Sequence, residues 1–164
     1  MSSSSTQPSE ASSFHTLYTA EYVGGGPVNH VAFVLVAPDF SSTSASTSSS
    51  TTTTTATTPP PPTTCTTFDV TGSILAGMVF RIRPSHPWPE RDPEYMAGSL
   101  RRVGRIAKQD LERWEAVCRA VEPPGKQVRL NGERIDKTRP LRRCTEWLVE
   151  VEERACGEGV VRAE

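Results

Sequence analysis

A run of serine and threonine in the first half of the chain limits what this sequence can fold into. Residues 41–58 are Ser or Thr at sixteen of eighteen positions, and Pro59–Pro62 follow. A segment of this composition cannot bury enough apolar surface to offset chain entropy, so it predicts disorder over residues 41–67. Residues 1–13 are also polar and Ser-rich, and we predict that they are disordered too. The rest of the 164-residue chain is long enough to form one compact core.

We therefore predict a single domain over residues 14–156, interrupted by the insertion at 41–67 and followed by a C-terminal tail at 157–164. Strand-like segments flank the insertion, which places it in a strand–strand connection. Loop entropy grows only logarithmically with length, so a long insertion of this kind costs little stability.

The apolar periodicity of the remaining residues predicts an α+β domain with an antiparallel sheet of four to five strands and two main helices. His30–Ala37 is apolar on both alternating faces after its first residue, which is typical of a central strand covered on both sides. Two later segments carry apolar residues at helical spacing. The predicted strands are Leu17–Val23, His30–Ala37, Thr67–Thr71, Met78–Arg83 and Leu100–Ala107, and the predicted helices are Gln109–Val121 and Pro140–Cys156.

Charge is segregated along the chain although the net charge is only −1. Residues 1–80 contain no Lys or Arg, whereas residues 81–143 carry sixteen basic and nine acidic residues. The basic residues are dispersed among the acids, and no nucleic-acid-binding motif accompanies them. The pattern favours a solvated mixed surface over nucleic-acid binding.

The N-terminal residues have neither positive charge nor an apolar stretch, which argues against a secretory signal. The longest apolar run, Val31–Ala37, has seven residues and is too short to span a bilayer. We therefore expect an intracellular, cytoplasmic protein without a membrane span, whose cysteines are thiols. These cysteines are Cys65, Cys118, Cys144 and Cys156.

The pair of residues best suited to chemistry is His30, at the start of the central strand, and Cys144, in the first turn of the last helix. A helix N-terminus favours a thiolate, and the flanking Arg142 and Arg143 add positive charge. A histidine across a groove can then act as general base or as imidazolium partner. Asp69, on a neighbouring strand, is our candidate to orient His30, with His86 as a second choice.

The order of a histidine on a strand and, much later, a cysteine opening a helix resembles the circularly permuted papain-like group. That group includes the lecithin retinol acyltransferase-like enzymes and the PPPDE desumoylating peptidases. The chain also resembles a set of small fungal proteins with a His-Trp-Ala-Leu-Phe strand, a Val-x-Gly segment and an Asn-Cys-Gln-x-Trp helix start. The matching segments are His30–Val34, Val70–Gly72 and Arg143–Trp147, with Val31 in place of the Trp and Arg143 in place of the Asn.

The resemblance implies a permuted papain-like layout and a thiol-dependent hydrolase or acyltransferase. Cys144 would be the nucleophile, His30 the proton shuttle and Asp69 the group that orients the imidazole, with a small molecule or peptide as substrate. The alternative is a non-catalytic binding or accessory protein on the same fold, with a role in fungal specialised metabolism. Cys144 also lies on the apolar stripe of its helix, where a buried cysteine can be simply a core residue.

Other motifs predict less. No C-x-x-C or H-x-x-x-H pair is present, so we predict neither a metal site nor a cofactor. Cys118 is predicted to lie in the core, whereas Cys65 falls in the predicted disordered segment and Cys156 at a helix end. The proline-rich segment around Trp88 is predicted to be an exposed aromatic loop, which could line a groove or dock a protein partner.

Overall fold

The computed structural model of the chain describes residues 14–24, 28–38 and 62–163. Five strands and two helices follow one another along these residues, so the predicted α+β class is confirmed. The strands are β1 (Phe14–Tyr22), β2 (His30–Val36), β3 (Thr64–Ser73), β4 (Gly77–Pro87) and β5 (Arg101–Ala107). The helices are α1 (Leu111–Ala120) and α2 (Cys144–Gly157).

The strands form one antiparallel sheet in the order β4-β3-β2-β1-β5. This order places β2 at the centre, as its continuous apolar sequence predicts. Residues Ala32–Val36 are buried on both faces of the strand, because the two helices cover one face and a loop covers the other.

The face of the sheet beneath the helices carries an aromatic core. Phe33 of β2 stacks edge-on against Trp114 of α1, with ring centroids 5.0 Å apart, and also contacts Trp147 of α2 at 6.3 Å. The indole Nε1–H of Trp147 donates to the carbonyl of Val121 at 2.9 Å, which joins the two helices at their ends. Leu148 and Val151 of α2 are buried in the same cluster, as the helical spacing predicts.

Trp88 covers the opposite face of the sheet. Its side chain is only 5% exposed and packs edge-on against Tyr18, with ring centroids 5.6 Å apart. The expectation of an exposed aromatic at this position is wrong, because the apolar side chains on the second face of β2 require a cover. Cys65 is buried in the same cluster and donates weakly to the carbonyls of His86 and Pro87.

The insertion ends earlier than the composition predicts. Residues 64–67 belong to strand β3 and not to the insertion. Thr67 is fully buried in the sheet. Of the predicted insertion, residues 41–61 lie outside the described residues, as does the predicted disordered segment 1–13. β4 continues to Pro87, through the first part of a segment predicted to be a loop.

Helix α2 begins at Cys144 rather than at Pro140. The carboxylate of Glu146 accepts the backbone N–H of Arg143 at 2.7 Å. Beyond the helix the C-terminal residues fold back onto the domain: Val160 and Val161 are buried, and Arg162 bridges to β5 through paired backbone hydrogen bonds.

Within the described ranges, none of the helices combines the length and apolarity that a membrane crossing requires.

Candidate functional site

Three elements bring His30, Asp69 and Cys144 together at one end of the sheet. Phe33 pairs with Phe68 in the register of β2 and β3. His30 lies three residues before Phe33 and Asp69 one residue after Phe68, so the alternation of a strand directs both to the face opposite the two phenylalanines. His30 Nε2 and Asp69 Oδ2 are 3.0 Å apart.

Asp69 is a completely buried carboxylate surrounded by cationic groups. Arg81, directly opposite on β4, donates from Nε to Oδ1 at 3.0 Å and from Nη2 to Oδ2 at 2.8 Å. Arg83 donates from Nη2 to Oδ2 at 3.2 Å and from Nε to the hydroxyl of Thr67 at 3.1 Å. Together with His30 these contacts satisfy the lone pairs of a charge that would otherwise be costly to bury.

The Cys144 thiol lies at the mouth of the strand pair, where the chain enters β2. Its sulfur is 3.8 Å from the carbonyl of Asn29 and also receives the backbone N–H of Val31. The sulfur also interacts with the ring of His30, and each group shifts the pKa of the other. Because Nε2 of that ring faces Asp69, Nδ1 is the nitrogen left for the sulfur. Cys144, His30 and Asp69 therefore form a continuous chain of polar contacts.

The ionisation of these groups favours an ion pair. The hydrogen bond to Asp69 is the main cause that raises the pKa of His30 to about 9, helped by Cys144 and opposed by burial. Burial works to raise the pKa of Cys144, but the hydrogen bond with His30 and the N–H of Val31 outweigh it, so the pKa falls below its ordinary value. A raised histidine and a lowered thiol pKa describe an imidazolium–thiolate pair.

Asp69 remains ionised beside this pair. Burial alone would raise its pKa, but the hydrogen bonds from His30 and Arg81 lower it to about 2. The permanent negative charge keeps Nε2 of His30 protonated and fixes the plane of the ring. The structure therefore places Asp69 against the imidazole of His30, and its role in orienting the ring stays a prediction.

The N-terminus of α2 is fixed by contacts from a neighbouring loop. The side-chain amide of Gln127 donates to the carbonyl of Arg142 at 2.5 Å and accepts the N–H of Arg142 at 2.6 Å. Cys144 is the first residue of the helix, and the first backbone bond in the helix runs from Trp147 N–H to Arg143 O. The backbone N–H groups of the first turn, including that of Cys144, therefore have no carbonyl partner within the helix.

A groove of about 630 Å³ runs over these residues. His30, Cys144 and Arg143 line it, together with Ser73 and Ile74 at the turn between β3 and β4. Tyr22 and Glu94 also line the groove. The remaining lining residues are Val23, Gly24, Val28, Asn29, Val70–Gly72, Met78, Arg81 and Arg83. The Cys144 side chain is only 7% exposed, so a substrate would reach the sulfur through this groove.

Two of the sequence predictions about neighbours of the site need correction. Arg142 does not flank the thiol, because its guanidinium forms an ion pair with Glu150 on the outer face of α2. His86 is not a partner of His30: its Nε2 lies 3.0 Å from Asp92. The ring of Tyr22 is near both histidines, with centroids 6.4 Å from His30 and 6.2 Å from His86.

The other cysteines are placed differently from Cys144. Cys118 is fully buried, and desolvation strongly raises the pKa of its thiol. Cys65 is also buried, which raises its pKa to about 11, contrary to its predicted place in a disordered segment. Cys156 is exposed at the end of α2. None of the three lines the groove among the described residues.

Several residues that build the site were not singled out from the sequence. Arg81 and Arg83 read as the solvent-facing side of a strand, whereas they reach over β3 to Asp69. Gln127 carries no local signal, because its partner is fifteen residues away at a helix start. In the described part of the chain, no group of three or more His, Cys, Asp and Glu side chains is arranged to hold a metal ion.

Taken together, the sheet, the helices and the groove define an α+β protein with a Cys–His–Asp arrangement at the start of its last helix. Residues 17–162 match the model of a family of unknown function, DUF6540, and the chain belongs to that family. The match covers every residue of the candidate site. Neither the curated proteins nor the solved structures include a match to the chain.

Proposed function

We propose that the protein is a thiol-dependent hydrolase or acyltransferase that uses Cys144 as nucleophile. The observation that carries this proposal is the polar chain from Cys144 through His30 to the buried Asp69. A cysteine that served only as a core residue would need neither an imidazolium neighbour nor a buried carboxylate behind it. The strand-borne histidine and helix-borne cysteine also support a permuted papain-like layout.

The first half of the proposed reaction forms an acyl-enzyme. The Cys144 thiolate attacks the carbonyl carbon of an ester or amide, and the carbonyl electron pair moves to oxygen. The free N–H groups at the start of α2 would stabilise that oxyanion. When the tetrahedral intermediate collapses, the leaving group departs with the proton that His30 gives up, and a thioester remains on Cys144.

The second half returns the enzyme to its starting state. Neutral His30 removes a proton from water or from an acceptor alcohol, amine or thiol, which attacks the thioester carbon. The Cys144 thiolate then leaves, and His30 is again an imidazolium beside it. Hydrolase and acyltransferase therefore differ only in the acceptor. Asp69 keeps the same charge throughout and holds the ring in position.

The proposal is tested by acylation with a neutral p-nitrophenyl ester. We expect a burst of p-nitrophenolate and a single acyl group on Cys144, detected by mass spectrometry of the intact and digested protein. Cys144→Ser should abolish the burst and His30→Ala should slow it. Decay of the acyl-enzyme in water, compared with decay in the presence of added alcohols or amines, separates the hydrolase from the acyltransferase.

The exposed Cys156 provides an internal control for this test. If Cys144 acquires the acyl group no faster than Cys156, the catalytic proposal is wrong. The groove would then favour the alternative, a binding or accessory protein that uses the same surface without turnover. A protein partner at the Trp88 loop would belong to that alternative, and it would have to contact the rim of the loop, because Trp88 itself is buried.

A further inference from the structure

We propose that the groove holds an anion-binding subsite beside Cys144, formed by Arg143 with Arg81 and Arg83, and that the acyl substrate carries a carboxylate near its reacting carbonyl. This inference rests on the proposed function and narrows its substrate class. It comes from the distribution of charged groups along the groove.

Arg143 directly precedes the nucleophile in sequence and lines the same groove. It is half-buried, and among the described residues its guanidinium has no carboxylate partner. Its neighbour Arg142 shows the usual alternative, since it is neutralised by Glu150. A guanidinium without a carboxylate partner, in the groove that also contains the reactive sulfur, is placed to bind an anionic group of a substrate.

Arg81 and Arg83 also keep donors for the groove. Each uses Nε and Nη2 in its contacts with Asp69 or Thr67. In the described part of the chain, Nη1 of both residues has no partner. Their side chains are 40% and 30% exposed, and both residues line the groove.

The charges of the groove leave a positive excess. The His30 imidazolium and the Cys144 thiolate cancel each other. Arg81 and Arg83 share the single negative charge of Asp69, which leaves one positive charge, and Arg143 adds a second. Glu94, an exposed residue that also lines the groove, removes one of the two. The groups that line the groove, taken with Asp69, therefore leave about one positive charge, which a singly charged carboxylate would balance; Glu146, whose carboxylate accepts the Arg143 backbone N–H, does not line the groove.

The test compares two alkylating reagents of nearly the same shape, iodoacetate and iodoacetamide, which differ by one negative charge. The second-order rate constant of each is measured at Cys144 by mass spectrometry at pH 7. We expect Arg143→Gln to lower the ratio of the iodoacetate rate to the iodoacetamide rate by about threefold, the effect of one partly exposed charge. Arg143→Lys should retain most of the ratio.

Arg142→Gln is the matched control. It removes the same charge one position away, but that charge is already paired with Glu150, so the ratio should not change. Added salt offers a second measurement that needs no variant. Raising the ionic strength to about 1 M, where the screening length is about 3 Å, should lower the wild-type ratio toward that of Arg143→Gln.

The outcomes separate this inference from the proposed function. If Cys144 reacts rapidly with iodoacetamide but the ratio is the same in wild type, Arg143→Gln and high salt, the anionic subsite is wrong and the thiol chemistry stands. If Cys144 reacts with neither reagent faster than the exposed Cys156, both proposals are overturned. A drop in the ratio with Arg142→Gln as large as that with Arg143→Gln would also overturn the subsite.

Discussion

Asp69 and His30 are joined by a 3.0 Å contact between a carboxylate that is completely buried and an imidazole that opens the central strand. The contact holds a positive charge beside Cys144, at the start of a helix whose dipole also favours an anion there. The charged groups at this end of the sheet therefore follow one another from Asp69 through His30 to the sulfur of Cys144.

The pH dependence of Cys144 alkylation should differ from that of the exposed Cys156. Because the pKa of Cys144 is lowered, its thiolate is populated at a lower pH than that of an ordinary cysteine. Burial and Glu152 raise the pKa of Cys156. With iodoacetamide at pH 6–7, Cys144 should react first although Cys156 is more accessible. Site-resolved mass spectrometry across pH 5–10 measures both profiles, and coinciding profiles would contradict the ion pair.

Turnover should decline on the alkaline side even though alkylation does not. His30 is protonated below its pKa of about 9 and becomes neutral above it. Attack needs only the thiolate, but departure of the leaving group needs the imidazolium proton. Steady-state rates with an amide or alkyl ester should therefore fall above about pH 9, while iodoacetamide rates stay level. A turnover rate that stays level to pH 10 would count against His30 as the proton donor.

Removing His30 should weaken the nucleophile without unfolding the protein. In His30→Ala the thiol loses the hydrogen bond that lowers its pKa, while burial still raises it, so alkylation of Cys144 near pH 7 should slow. His86→Ala is the matched control, because that histidine faces Asp92. Cys118 should stay unreactive in all three folded proteins. Equal rates in wild type and His30→Ala would mean that the helix N-terminus alone activates the sulfur.

The ionised Asp69 should contribute to stability above its pKa and lose that contribution in acid. The pKa of Asp69 is lowered from 3.8 to about 2. A lowered pKa adds stability that is fully present above the unfolded value and lost as pH falls through the folded one, here about 2 kcal/mol. In urea unfolding, the free energy of unfolding of wild type should exceed that of Asp69→Asn by this amount at pH 6, and the difference should disappear near pH 2. A difference that does not depend on pH would contradict the assignment.

Trp147 should be the largest single contributor that α2 makes to stability. Its side chain is fully buried against Phe33 and Phe80, and its indole N–H is bonded to Val121. Trp147→Ala should lower the free energy of unfolding by about 3–5 kcal/mol. Val149→Ala, on the same helix at 47% exposure, should change it by less than about 0.5 kcal/mol. Chemical denaturation of both variants measures these changes. Similar losses of unfolding free energy in the two variants would contradict the leading contribution assigned to Trp147.

The fold was predictable where periodicity is strong and local. The unbroken apolar run of β2 marked it as central, and the stripe of Trp147, Leu148 and Val151 marked the buried face of α2. The ends of the strands and helices were harder to predict. Threonines continue from the insertion into β3 without a change in composition, so only pairing with β2 and β4 shows that the strand begins at Thr64 and not at Thr67.

The candidate site was predictable in its three chemical groups but not in their surroundings. His30, Asp69 and Cys144 are recognisable because each has the right chemistry at the end or edge of an element. The roles of Arg81 and Arg83 depend on the register across the β3–β4 turn, and that of Gln127 on a loop docking against a helix start. Trp88 was misplaced because proline-rich segments are usually exposed, whereas this one closes the second face of the sheet.

Residues 41–61 of the Ser/Thr/Pro segment between β2 and β3 should be dispensable for thermal stability. These strands are antiparallel neighbours, with Leu35 opposite Thr66, so the chain leaves and re-enters the sheet at nearby points. A short Gly/Ser linker can therefore replace residues 41–61, and we expect the melting temperature to stay within about 2 °C of wild type because the composition offers little to pack.

Replacing residues 41–67 instead removes Cys65 and the fully buried Thr67 from β3 and should lower the melting temperature by more than about 5 °C. Calorimetry or thermal circular dichroism of the two variants, made side by side, measures the difference. A large loss in the shorter replacement would show that residues 41–61 contribute contacts to the domain and would refute their assignment as an insertion without a structural role.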